Sequence, residues 1–150
     1  MRRPVVALAL AGLLAAGASG AAAEFRSIAA PAAMYDGPSK AARKLYAAPR
    51  GMPVEVLSTL GQWVKVRDAS GEVLWVERGD LAERRAVVTT AIATVRKDPA
   101  DAAAAVMTAD RGVLLELADP AAGESPSGWV RVRHRDGVAG FVRSGEVWGL

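Results

Sequence analysis

Residues 63–81, WVKVRDASGEVLWVERGDL, and residues 129–147, WVRVRHRDGVAGFVRSGEV, are two copies of one segment. Trp63, Val64, Val66, Arg67, Gly71, Val76 and Gly79 recur as Trp129, Val130, Val132, Arg133, Gly137, Val142 and Gly145, each 66 positions on. An internal repeat of this kind means one small supersecondary unit used twice, and it constrains the fold before any single residue is interpreted. The expected product is a pair of small β-rich modules.

The repeat extends upstream at a different offset. Pro38, Leu45, Gly51, Val54, Glu55 and Val56 return as Pro99, Val106, Gly112, Leu115, Glu116 and Leu117, 61 positions on. The five-residue difference between the offsets is an insertion in the second copy. It falls in DPAAGESPSG, Asp119 to Gly128, a run rich in turn formers. Surface loops accept such insertions because a longer closed loop costs little extra entropy.

The first 23 residues read as an address. Arg2 and Arg3 give a basic start, Val5 to Ala16 is apolar, and Ala21-Ala22-Ala23 offers an A-x-A cleavage site before Glu24. This is the order of a secretory signal peptide, and the apolar stretch is too short for an ordinary spanning helix. The competing reading is an uncleaved amphipathic or anchor helix. The chain has no cysteine, so neither a lipid-modified cysteine at the processing site nor a disulfide is available. The expectation is a periplasmic or secreted protein with no membrane anchor once the signal is cleaved. Removal of Arg2 and Arg3 leaves seventeen basic against sixteen acidic side chains, a net charge of +1. That balance excludes nucleic acid as the expected partner, which would need a concentrated basic face. Arg131, Arg133 and Arg135 are the densest local cluster, read as a solvated strand face, with attraction to acidic cell-wall polymers as the alternative.

About 127 residues remain, roughly 60 per copy, near the lower limit at which an unaided core stabilises a fold. Two such modules are expected to support each other through a shared interface. Short runs of period two separated by turns predict strands at Met52 to Leu57, Gln62 to Arg67 and Val73 to Glu77, with turns at Ser58 to Gly61 and Asp68 to Gly71. Gly112 to Ala118, Trp129 to Arg133 and Val138 to Arg143 repeat the series. Val87 to Val95, rich in β-branched residues, opens the second copy. Pro99 to Ala109 is alanine-rich, which allows a helical turn or two, but its match to Ser39–Ala48 argues for an irregular arm carrying a short strand.

The first copy, MYDGPSKAARKLYAAPRGMPVEVL followed by GQWVKVRDASGEVLWV and Gly79-Asp80-Leu81, resembles the bacterial SH3 domain. The shared marks are a Gly-Pro-Ser turn in a long first loop, a glycine before a V-x-V strand, a Trp-x-x-V strand, a Gly turn and a closing aromatic-Val. The second copy keeps Val95-Arg96, Pro99, Gly112, Trp129-Val130 and Gly137 to Val142, but replaces Gly37 and Ser39 with Asp98 and Ala100. The resemblance implies an all-β fold of two tandem five-stranded SH3-like barrels. The corresponding division is a signal peptide at 1–23, a first domain at 24–85 and a second at 86–150. It also implies non-catalytic binding modules that act beside cell-wall enzymes, with peptidoglycan or peptides as ligands and no cofactor.

The residues agree with a non-catalytic reading. Without cysteine, and with His134 as the sole histidine, neither Cys-His nor Ser-His-Asp machinery is expected, and a zinc site is poorly supplied. His134-Arg135-Asp136 is expected to be a surface turn. The candidate ligand-binding residues are Tyr35, Asp36, Trp63 and Trp129. If Val64 and Val66 face the core, Trp63 points outward beside the long loop carrying Tyr35 and Asp36, and Trp129 repeats the placement. An exposed tryptophan offers large contact area and an N–H donor. The alternative is that each Trp closes its own barrel or packs between modules. Trp75 and Phe141 are expected in the cores, and Trp148 over the second barrel or in the groove between copies. Three functions compete: recognition of cell-wall peptide or glycan, a scaffold for an envelope enzyme or assembly, and a small hydrolase that lacks a catalytic set. The intact Gly37-Pro38-Ser39 turn and Tyr35 mark the first copy as the binder and the second as support.

Overall fold

The computed structural model describes residues 22–119 and 127–150, so the leader expected at 1–23 lies outside the described residues except for its last two positions, as does most of the inserted loop. The described chain is all-β, with two antiparallel sheets and no α-helix. In the first unit β1 (Glu24–Ile28), β2 (Ala32–Tyr35), β3 (Lys44–Ala48), β4 (Pro53–Leu60), β5 (Trp63–Arg67), β6 (Val73–Glu77) and β7 (Leu81–Ala82) lie in the order β3-β2-β6-β5-β4-β1-β7. The second unit repeats this arrangement. Its strands are β8 (Ala86–Thr89), β9 (Ala93–Arg96), β10 (Ala105–Ala109), β11 (Leu114–Leu117), β12 (Trp129–Arg133), β13 (Ala139–Arg143) and β14 (Val147–Trp148), ordered β10-β9-β13-β12-β11-β8-β14. These are two tandem SH3-like barrels. Each sheet has seven segments rather than five because the long arm forms its own hairpin edge and a two-residue segment closes the far side.

Alternation builds the cores. Val64 and Val66 pair across β5–β6 with Val76 and Leu74, and all four are buried with Ile28, Met34 and Val54. In the second unit Val130 and Val132 pair with Val142 and Gly140, over Val87, Val95, Leu115 and Leu117. Gly140 stands where the first unit has Leu74. A Cβ there would come within 2.4 Å of the Arg96 carbonyl oxygen, so β9 and β13 pack too closely for a side chain. Gly51 and Gly112, 61 positions apart, both take positive φ, at 83° and 86°, at the turn before the β4 and β11 runs.

Of the local expectations, two change and two hold in more detail. The turn expected at Ser58 to Gly61 is only Gly61-Gln62, because Ser58, Thr59 and Leu60 stay paired to Lys65, Val64 and Trp63 and a bulge after Val56 absorbs the register. The stretch from Val87 to Val95 is two strands, since Thr90 donates its N–H to the Glu146 carbonyl and leaves the sheet there. The segment after Pro99 holds no α-helix: an irregular arm leads into β10, which pairs with β9. Trp75 and Phe141 lie on the outer faces, not in the cores. Leu74 and Val76 take the inward positions of β6, and period two sends Trp75 the other way, with Phe141 following the same rule between Gly140 and Val142.

The two units meet along a seam. The Ala86 N–H donates to the buried Ser27 hydroxyl at 2.9 Å, and Arg85 donates to the Gly149 carbonyl at 2.7 Å. Trp148, carried on β14 beside Val88, sets its ring edge-on to Phe25 of the first unit, with centroids 5.0 Å apart at 88°. The Arg85 guanidinium lies 5.8 Å from the same Phe25 ring. Trp148 thus occupies the groove between copies. Phe25→Ala and Trp148→Ala are each expected to lower the urea midpoint, and a double-mutant cycle should return a coupling of about 1 kcal/mol. Strictly additive single effects would show that the two rings do not hold the seam.

Candidate binding face

The outer face of the first barrel follows from strand parity. Tyr35 pairs with Trp75 between β2 and β6, Trp75 pairs with Lys65 between β6 and β5, and Trp63 lies two positions from Lys65. All four side chains therefore share one side of the sheet. Tyr35 and Trp63 meet edge to face, 5.1 Å between centroids at 86°, and the Lys65 ammonium stands 5.9 Å from the Trp75 ring. Tyr35 is 6% exposed, Trp63 and Trp75 are half-buried, and Lys65 closes one end.

The long arm borders this face and is tied down at both ends. Asp36 accepts the Arg43 backbone N–H at 3.0 Å and pairs with the Arg43 guanidinium at 3.3 Å, which pins the loop around Gly37-Pro38-Ser39. Ser39 accepts from the Ala41 N–H at 3.1 Å. Farther along, Lys40 reaches Glu77 at the end of β6, 3.5 Å away. Asp36 is exposed at the rim. Tyr35 and Trp63 thus come together on one side of the first unit, and Asp36 follows Tyr35 at the start of the exposed loop.

Trp129 lacks the counterpart of Tyr35 in the second unit. Arg96 replaces Tyr35, and its guanidinium donates to the Ala103 carbonyl of the arm at 2.8 Å. Arg143 replaces Glu77. It pairs with Asp101, the counterpart of Lys40, so the arm-to-strand ion pair is kept with its charges exchanged. That exchange sets the Arg143 guanidinium 4.7 Å over the Trp129 ring and leaves Trp129 8% exposed. The substitution of Glu77 by Arg143, visible in the repeat, is the signal that distinguishes the two tryptophans.

The first unit also carries a polar cluster that sequence reasoning passed over. Asp68, 8% exposed, accepts from the Tyr46 hydroxyl at 2.8 Å, the Ser70 hydroxyl at 2.6 Å, and the N–H groups of Ser70 and Glu72, both at 2.9 Å. Burial is the strongest single influence and raises its carboxyl, but the four hydrogen bonds together outweigh it and hold the group below its ordinary value. Tyr46 is pushed well above the usual phenol range, first by burial and then by its bond to Asp68. The pair borders a cavity of about 290 Å³ that Val88 and Leu114 of the second unit complete. The corresponding positions in the second copy are Met107 and His134, so the second unit lacks the pair. That divergence within an otherwise regular repeat was the available clue.

The bacterial SH3 domain model matches residues 29–83 and again 89–149. The chain belongs to the bacterial SH3 domain family. Among solved structures it is similar to NlpC2 from Trichomonas vaginalis, at 15% identity and a TM-score of 0.38, over 84% of this chain and 48% of that one. NlpC1 from the same organism matches at 16% identity and a TM-score of 0.36, over 93% and 50%. An NlpC/P60 family protein from Bacillus cereus matches at 14% identity and a TM-score of 0.36, over 83% and 56%. The chain spans about half the length of the solved structures it matches. No curated protein matches it in sequence. Among the described residues of this bacterial SH3 pair, no helix is long and apolar enough to cross a membrane.

Removal of the Tyr46 hydroxyl tests the polar cluster. Tyr46→Phe is expected to lower stability by about 1.5 kcal/mol at neutral pH, the scale of a hydrogen bond to a charged acceptor. A carboxyl depressed by folding stabilises above its unfolded pKa of about 3.9 and loses that contribution as the pH falls through its folded value. A phenol raised by folding stabilises below its unfolded pKa of about 10 and loses that contribution above it. The gap between wild type and Tyr46→Phe in urea midpoint should therefore be widest between those limits and shrink on both sides. A gap independent of pH would show that Asp68 is not the partner that matters.

Proposed function

We propose that this bacterial SH3 pair is a non-catalytic extracytoplasmic binding module that recognises cell-wall peptide or glycan through the outer face of its first unit. The observation that carries the reading is the half-open Trp63, buttressed edge-on by buried Tyr35 and bordered by Asp36 on a pinned loop. Aromatic side chains held in place by packing present large contact area at low entropic cost, and a rim carboxylate supplies direction. Trp63 is the contact residue, Tyr35 fixes its ring, and Asp36 faces the ligand's polar groups. Trp129, under Arg143, takes part only where the ligand displaces that guanidinium.

A catalytic role finds no support in the same geometry. The sole histidine of the chain sits in the turn after β12, with Nδ1 2.9 Å from Asp136, and the chain holds no cysteine. The basic, apolar, small-residue order of the first 23 positions supports export to the periplasm or beyond.

The test is retention on purified, insoluble peptidoglycan. Wild type should sediment with it, and Trp63→Ala should cut the retained fraction severalfold, while Trp129→Ala changes it little. Absence of wild-type retention overturns the wall-binding reading. Co-purification of a defined envelope protein, abolished by Trp63→Ala, would assign the same face to scaffolding instead.

A further inference from the structure

A groove of about 940 Å³ lies between the two barrels, and Trp63 is not among its described lining residues. Its walls carry Arg50 of the first unit, Arg84 of the linker, and Arg133 and Arg135 of the second unit. Glu116 is the one carboxylate among its described lining residues. Four guanidiniums against one carboxylate put a local charge of +3 into a chain whose overall balance after position 23 is +1. The charge that was diluted along the sequence is concentrated here.

The repeat shows how the cations were released. In the first unit Glu55 and Arg67, facing each other across β4–β5, form an ion pair at 3.0 Å. Their counterparts Glu116 and Arg133 face each other in the same register across β11–β12. Glu116 nevertheless turns to Arg84 of the linker, at 3.2 Å. Arg133 is left exposed on the groove wall, and among the described residues neither it, Arg50 nor Arg135 forms a salt bridge. The Nδ1 of His134, between them, lies 2.9 Å from an Asp136 carboxylate oxygen.

We propose that this groove is a second binding site, distinct from the aromatic face, for an acidic peptide segment bearing about three carboxylates. Guanidinium groups present forked donors that match carboxylates in a bidentate manner, and a shared low-dielectric cleft focuses their field. The groove is also lined by the apolar residues Ile28, Ala29, Ala86, Val113 and Leu115. That mixture of cationic and apolar lining suits a peptide, whose acidic side chains are separated by uncharged backbone. The paired Glu116 and the limited net charge disfavour a dense polyphosphate. Among the described residues none lines both this groove and the Trp63 face, so the site does not depend on the function proposed for that face.

The probe is a fluorescein-labelled peptide of alternating glutamate and alanine, titrated with the protein expressed from its full sequence and read by anisotropy. Saturable binding is expected, weakening as salt is raised. Arg133→Glu and Arg135→Glu should each weaken it about tenfold. Arg78→Glu makes the same charge change outside the groove, so it should leave the affinity within about twofold. Equal loss with Arg78→Glu would mean diffuse attraction and overturn the site. So would an absence of binding in a protein whose urea midpoint is intact. Inorganic polyphosphate that displaces the peptide and binds more tightly, with the same dependence on Arg133, would overturn the assignment to a peptide.

Discussion

The contact between Phe25 and Trp148 is the constraint on which the rest of the molecule depends. Each barrel is small, its core is built mainly from valine, leucine and alanine, and it has no disulfide to assist it. A unit of that size gains from a rigid neighbour. The last strand of the second unit delivers Trp148 to the first strand of the first, and Gly149 passes so close to Pro53 that a Cβ would come within 3.0 Å. The buried Ser27 hydroxyl then satisfies the Ala86 N–H, a backbone donor stranded where the linker enters the second barrel. Apolar contact and polar satisfaction thus act at the same place.

The seam also determines what surfaces exist. With the barrels held together, Arg50 of one faces Arg133 and Arg135 of the other across a single groove, which neither barrel could form alone. The Tyr46–Asp68 pair likewise borders a cavity completed by Val88 and Leu114 of the second unit. The outer aromatic face of the first unit needs no such partner, since β2, β5 and β6 build it entirely. One surface belongs to a barrel and the other to the pair.

Much of this was legible in the repeat. The V-x-V alternation located the core valines, the constant offsets aligned β4, β5 and β6 with their counterparts, and the matched Gly51 and Gly112 marked a shared positive-φ turn. The tandem all-β architecture followed from those facts. Trp75 was misplaced because its size suggested a core position, whereas strand parity was the stronger rule. The turn after Val56 was misplaced because a bulge shifts register without any mark in composition. The choice of Glu116 between two arginines could not be read at all: register puts it opposite Arg133, and only the path of the linker brings Arg84 closer.

The two copies diverge in a way that physical chemistry can order. Between Lys40–Glu77 and Asp101–Arg143 the ion pair from arm to strand survives with its signs reversed, which preserves the arm's anchor. Exposed pairs of this kind contribute little to stability, so their retention is better explained by geometry than by energy. The reversal has a side effect on the neighbouring ring. A carboxylate beside Trp63 leaves that ring's face to solvent or ligand, whereas a guanidinium at the same place stacks on Trp129 and covers it. A single exchange of charge therefore separates an accessible aromatic from a buried one on the same scaffold. Duplication supplied two equivalent faces, and electrostatics left one of them open.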